Sequence, residues 1–115
     1  MRIWDLPVKK LCRQHLLGEH RELHCIWTFL TTDKGGSYKK HPETLRWKGK
    51  LEALLLRHIE QVLEMRRRGY NHHSLLDISR VNLGSKNQDK FINTIDEQIE
   101  ILKAKQKTTN CQCNV

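Results

Sequence analysis

Apolar residues recur along most of this chain at helical spacing and nowhere alternate as they would in a half-buried strand. Cys12, Leu16, Leu23, Trp27 and Leu30 fall on one stripe, interrupted only at Glu19 and His20. They predict a first helix starting between Pro7 and Leu11 and running to about Leu30, with Asp5 as N-cap and Pro7 in the first turn. The stretch from Thr31 to His41 contains Asp33-Lys34-Gly35-Gly36-Ser37 and then Lys39-Lys40, and reads as a turn-rich basic loop. Pro42 can open a second, long helix reaching about Arg68, with Leu51, Leu55, Val62 and Met65 on its stripe beside Leu54 and Ile59. Gly69 is its stop signal. After an irregular segment from Tyr70 to Lys86, a third helix from about Asn87 to Lys105 would bury Phe91, Ile92, Ile95, Ile99 and Leu102. The expected fold is all-α, a compact single domain of three main helices joined by irregular loops. It spans residues 1–107, and residues 108–115 read as a flexible polar tail.

Length adds one restriction: 115 residues suffice for one core and leave no room for a second catalytic domain. Lysine and arginine number 21 against 13 acidic residues, a net charge of +8, which favours a polyanionic partner. Residues 1–70 carry 15 basic and 8 acidic side chains and the remainder 6 and 5, so the front of the chain is the expected binding surface. Charge alone is served equally well by a solubilising face. The longest apolar run, Ala53-Leu54-Leu55-Leu56, is too short for a membrane span or a signal peptide, and a soluble, cytoplasmic protein with no membrane partner is expected. In that compartment Cys12, Cys25, Cys111 and Cys113 read as reduced thiols, and Cys111-Gln112-Cys113 as incidental thiols rather than a metal site.

At about 100° per residue, His15, Gly18 and Glu22 share one face of the first helix, with Glu19 at its edge and Arg21 one step round. A mid-helix glycine costs roughly 1 kcal/mol relative to alanine, and Gly18 stands where another backbone or a ligand could approach. Gln14-His15-Leu16-Leu17-Gly18-Glu19-His20-Arg21-Glu22-Leu23 resembles the first-helix signature of the pyrimidine-dimer DNA glycosylase (endonuclease V) family. Arg2-Ile3 resembles the family's N-terminal arginine. Arg68-Gly69-Tyr70-Asn71 with Asp77-Ile78-Ser79 resembles the end of its second helix and the segment beyond.

The resemblance implies a DNA-repair glycosylase with abasic-site lyase activity, needing no cofactor or metal, acting as a monomer on double-stranded DNA that contains a lesion or abasic site. Its nucleophile would be the N-terminal amine of Met1, retained because the bulky Arg2 follows it. An α-amine titrates near 7.7–8.0 against about 10.4 for lysine, so a useful neutral fraction exists at pH 7. Glu22 would be the catalytic carboxylate, with Arg2, Gln14, His15 and Arg21 holding DNA. Cys25 departs from a DNA-binding arginine of the phage member, and Thr108 to Val115 offer no counterpart to that member's aromatic C-terminus.

Two other classes compete. A non-enzymatic DNA-binding module would explain the charge, with Arg66-Arg67-Arg68 on phosphates. A metal enzyme would use His20 and His24, completed by His72, His73 or a cysteine, but Glu22 points about 160° from that side, unlike the zincin pattern. The histidines therefore read as ordinary surface or core residues. Among aromatics, Trp27 lies on the core stripe, Trp4 is the one candidate for the site, and Tyr38 is a weaker stacking candidate.

Overall fold

In the computed structural model, which describes residues 1–72, 74–79 and 81–115, the chain enters through a non-helical segment with Ile3, Trp4 and Leu6 buried. Buried backbone must find partners, and among the described residues no strand lies beside this segment to supply them. Side chains do so instead. Ile3 N donates to Glu43 (3.2 Å), Trp4 N to Glu19 (2.7 Å) and Asp5 N to Gln98 (2.8 Å). The Ile3 carbonyl accepts from Arg46 (2.9 Å) and the Leu6 carbonyl from Arg57 (2.8 Å). Polar and charged side chains carried by four helices thus fix the course of the chain on which Met1 is carried.

The first helix, α1, spans Arg13–Thr31 and starts later than its stripe suggested. Val8–Lys10 form a separate 3-10 turn that ends with Leu11 in extended backbone (φ −81°, ψ 137°), so the helix cannot continue through it. Cys12, not Asp5, is the N-cap residue. The Asp5 carboxylate is held by Arg46 (3.1 Å) and Gln98 (2.9 Å). Cys12, Leu16, Leu23 and Trp27 are buried as the stripe predicts, Leu30 is half-buried, and Ile26, which is not on that stripe, is fully buried beside them.

The single long helix expected after Pro42 is two: α2 (Pro42–Leu45) and α3 (Leu51–Arg67). Between them Gly49 takes φ +76°. The first N–H groups of α3 are satisfied from a distant loop, with Glu52 N donating to Leu83 O (2.7 Å) and Ala53 N to Ser85 O (3.1 Å). Ser85 N returns a bond to Gly49 O (2.9 Å), and Lys50 and Gly84 form an isolated antiparallel bridge. Gly69 ends α3 as expected. With φ +83° it lets its own N–H reach Arg66 O and Tyr70 N reach Met65 O (2.8 Å), the paired bonds of a Schellman stop.

The last helix, α4, is Ile95–Thr108 rather than a helix from Asn87. Its start is fixed by a capping box in which Thr94 and Glu97 each accept from the other's backbone N–H. Leu102 is fully buried and Ile99 packs beside it, whereas Phe91, Ile92 and Ile95 are 41–50% exposed. The residues beyond α4, read above as a tail, turn at Asn110 (φ 56°) and return to the core. Cys111 and Cys113 are buried, and Asn114 N donates to Lys10 O (2.7 Å). The described residues contain no named strand, and no helix among them is long and apolar enough to cross a membrane.

Candidate active site

The polar face of α1 and the chain's first residues form an open cleft of about 330 Å3. Met1, Arg2 and Trp4 line it from the N-terminal segment, and Gln14, His15, Gly18, Glu19 and Glu22 from the helix. A Cβ built on Gly18 would meet nothing within 4 Å, so the backbone of α1 is open to whatever enters. Neither the Met1 amine nor the Glu22 carboxylate has an ion-pair partner among the described residues. Glu19 is the opposite case. Its fully buried carboxylate takes Trp4 N (2.7 Å), two nitrogens of Arg57 (both 2.9 Å) and the Gln61 amide. All of its capacity serves the fold.

Arg2 donates to Asn93 (3.0 Å) and lies over the Trp4 ring at 4.8 Å, while His15 meets the same ring edge-on at 5.7 Å. Trp4 is only 5% exposed, and its ring contacts both of these cleft residues. Arg21 is exposed and lies outside this cleft, on an adjoining hollow of about 580 Å3 shared with Arg13, Gln14, His15 and Lys105. Of the arginine run, Arg67 and Arg68 are engaged by Glu64, and Arg68 also reaches Leu11 O (2.7 Å).

The chain matches the sequence model of the pyrimidine dimer DNA glycosylases over residues 1–78. It belongs to that family. No curated protein and no solved structure matches it. Every residue singled out from the first-helix motif and the N-terminus lies within the matched span, whereas Lys105 on the cleft rim lies outside it.

Two further groupings come together among the described residues: the cysteines with His15, which the sequence did not show as a group, and a histidine set that adds His58 to His20, His24 and His72. Cys12, His15, Cys111 and Cys113 place their donor atoms within 4.8 Å of one another, joining the start of α1 to the end of the chain. Burial pushes the Cys113 thiol up to about 12, and burial followed by the Lys105 cation lowers His15. His20, His24, His58 and His72 form the second group, also within 4.8 Å, while His73 lies outside the described residues. Burial, reinforced by His20, His24 and His72, pushes His58 down to about 4. The spacings Cys12-x-x-His15 and Cys111-x-Cys113 were visible signals. What the sequence could not supply was their juxtaposition across the length of the chain.

Proposed function

We propose that this family member excises a damaged base and nicks the abasic strand with the α-amine of Met1. The amine nitrogen attacks C1′, the C1′–N glycosidic bond breaks, and the base leaves with its electron pair and takes up a proton. The sugar ring opens at C1′–O4′ to leave an imine. Loss of a C2′ proton then expels the 3′ phosphate by β-elimination. Glu22 stabilises cationic character at the sugar and carries protons in these steps. Arg2, Gln14, His15 and Arg21 bind the DNA around the lesion, the arginines because a planar guanidinium grips phosphate at two points.

The observation that carries this reading is the cleft that gathers Met1, Arg2, Gln14, His15 and Glu22 with the amine and the Glu22 carboxylate uncommitted among the described residues. The test is borohydride trapping on ultraviolet-irradiated and abasic duplexes, with the adduct located by mass spectrometry. Attachment at Met1 is expected, and blocking the terminal amine should abolish trapping. Lys105 lines the same cleft and is the rival amine. An adduct on Lys105 would overturn the terminal-amine mechanism, and binding without any adduct on either duplex would favour a non-enzymatic DNA-binding module.

A further inference from the structure

We infer that Cys12, His15, Cys111 and Cys113 form a zinc site that clamps the end of the chain to the first turn of α1. His15 Nδ1 lies 3.1 Å from Cys12 Sγ, 3.4 Å from Cys111 Sγ and 3.2 Å from Cys113 Sγ. One imidazole nitrogen has a single in-plane lone pair or a single N–H, so hydrogen bonding accounts for one of these contacts and not for three. A tetrahedral zinc ion with Zn–S near 2.3 Å and Zn–N near 2.0–2.1 Å accounts for all of them, because it sets the nitrogen about 3.5 Å from each sulfur.

The surroundings agree. Cys12 N lies 3.1 Å from Cys113 Sγ and Cys113 N 3.4 Å from Cys111 Sγ, and such backbone N–H groups stabilise thiolates bound to a metal. The three sulfurs are free thiols, all on buried residues, and with the histidine they fill four positions, the closed set of a structural ion. An ion there would link Cys12 to Cys113 across nearly the whole sequence. It would also hold the ring of His15, a wall of the cleft, by its Nδ1.

A different observation carries a second site at His20, His24, His58 and His72. The Nε2 atoms of His24 and His58 are buried with no hydrogen-bond partner, although each belongs to a cluster whose donor atoms lie within 4.8 Å. His20 Nδ1 contacts Gln61 Oε1 (2.9 Å), while the amide nitrogen of Gln61 is committed to Glu19. That arrangement makes Nδ1 the protonated nitrogen of His20 and leaves Nε2 as a lone pair, 3.1 Å from Nε2 of His72. Buried imidazole nitrogens without hydrogen-bond partners, gathered beside a His20 ring whose other nitrogen is fixed by Gln61, suit a divalent cation. Neutral imidazole suits zinc as well as thiolate does.

The experiment is elemental analysis of the full chain, expressed without a histidine tag in zinc-supplemented medium, followed by replacement with cobalt(II). Two zinc equivalents per chain are expected. The cobalt form should show a near-ultraviolet thiolate-to-cobalt charge-transfer band, which only the cysteine site can give. Cys111→Ser with Cys113→Ser should remove one equivalent and that band. His24→Gln with His58→Gln should remove one equivalent and keep it. Wild-type protein without the band, and with all four thiols rapidly modified while folded, would overturn the cysteine site whether or not its variant folds. A single zinc equivalent together with a full-strength band would overturn the histidine site.

Discussion

Glu19 and Glu22 lie three residues apart on α1 and differ in what surrounds their carboxylates. Both oxygens of Glu19 are saturated by Trp4, Arg57 and Gln61, so Glu19→Gln removes the buried charge that the largely covered Arg57 guanidinium pairs with. Removing one member of a buried pair costs roughly 3–5 kcal/mol, and denaturant titration should find a loss of that order. An unchanged midpoint would mean the network does not hold the N-terminal segment. Glu22 faces the cleft without an ion-pair partner among the described residues, and Glu22→Gln should leave stability and DNA binding intact. Its single-turnover cleavage of damaged duplex should fall roughly 10²–10⁴-fold, the range for a general acid/base group. Binding equal to or tighter than wild type is expected, since a negative charge beside phosphate is lost. Near-native cleavage by the folded variant would remove Glu22 from the chemistry.

At the scale of elements, α3 depends on groups outside itself at both ends. Its first N–H groups are capped by the loop carrying Leu83 and Ser85, which approaches so closely that a Cβ on Gly84 would lie 2.4 Å from Gly49 O. Gly84 also has φ +66°. Gly84→Ala should therefore destabilise the protein by about 1–3 kcal/mol, the usual cost of forcing such backbone, and a thermal melt equal to wild type would show that the loop can be released freely. At the other end, hydrogen bonds from Arg67, then Arg68, lower Glu64 to about 2. A carboxylate depressed on folding stabilises the protein above its ordinary range, and that stabilisation disappears as pH falls from about 4.5 towards 2. The stability advantage of wild type over Glu64→Gln should accordingly shrink across that interval. An advantage that did not change with pH would mean the ion pairs do not stabilise the fold.

For the molecule as a whole, the excess positive charge of the first 70 residues makes phosphate neutralisation the main expected source of DNA affinity. Log affinity should fall linearly with log salt concentration. Arg21, exposed on the hollow beside the cleft, is a candidate phosphate contact. Arg21→Ala should weaken binding to damaged and undamaged duplex alike and reduce the slope by about one. An unchanged slope would take Arg21 out of the interface. Arg67 and Arg68 together should contribute about one charge fewer than their number suggests, since both pair with the single carboxylate of Glu64.

The sequence by itself determined the helical class, the buried stripe of α1, the Gly69 stop and the family, because each rests on local periodicity, turn chemistry or a contiguous motif. It also contained the Thr94-x-x-Glu97 box that fixes the start of α4, a local signal that the helix expected from Asn87 passes over. Tertiary structure decided the rest. The break at Gly49 depends on carbonyls more than 30 residues away, and the late start of α1 on an N-terminal segment bonded by Glu19, Glu43, Arg46, Arg57 and Gln98. Residues 108–115 look polar in composition, yet Cys111 and Cys113 are buried because Cys12 and His15 lie beneath them. A periodic stripe records which side of an element is buried, but not what it is buried against. Donor groups that act together only after the chain ends meet leave no local pattern from which their meeting can be read.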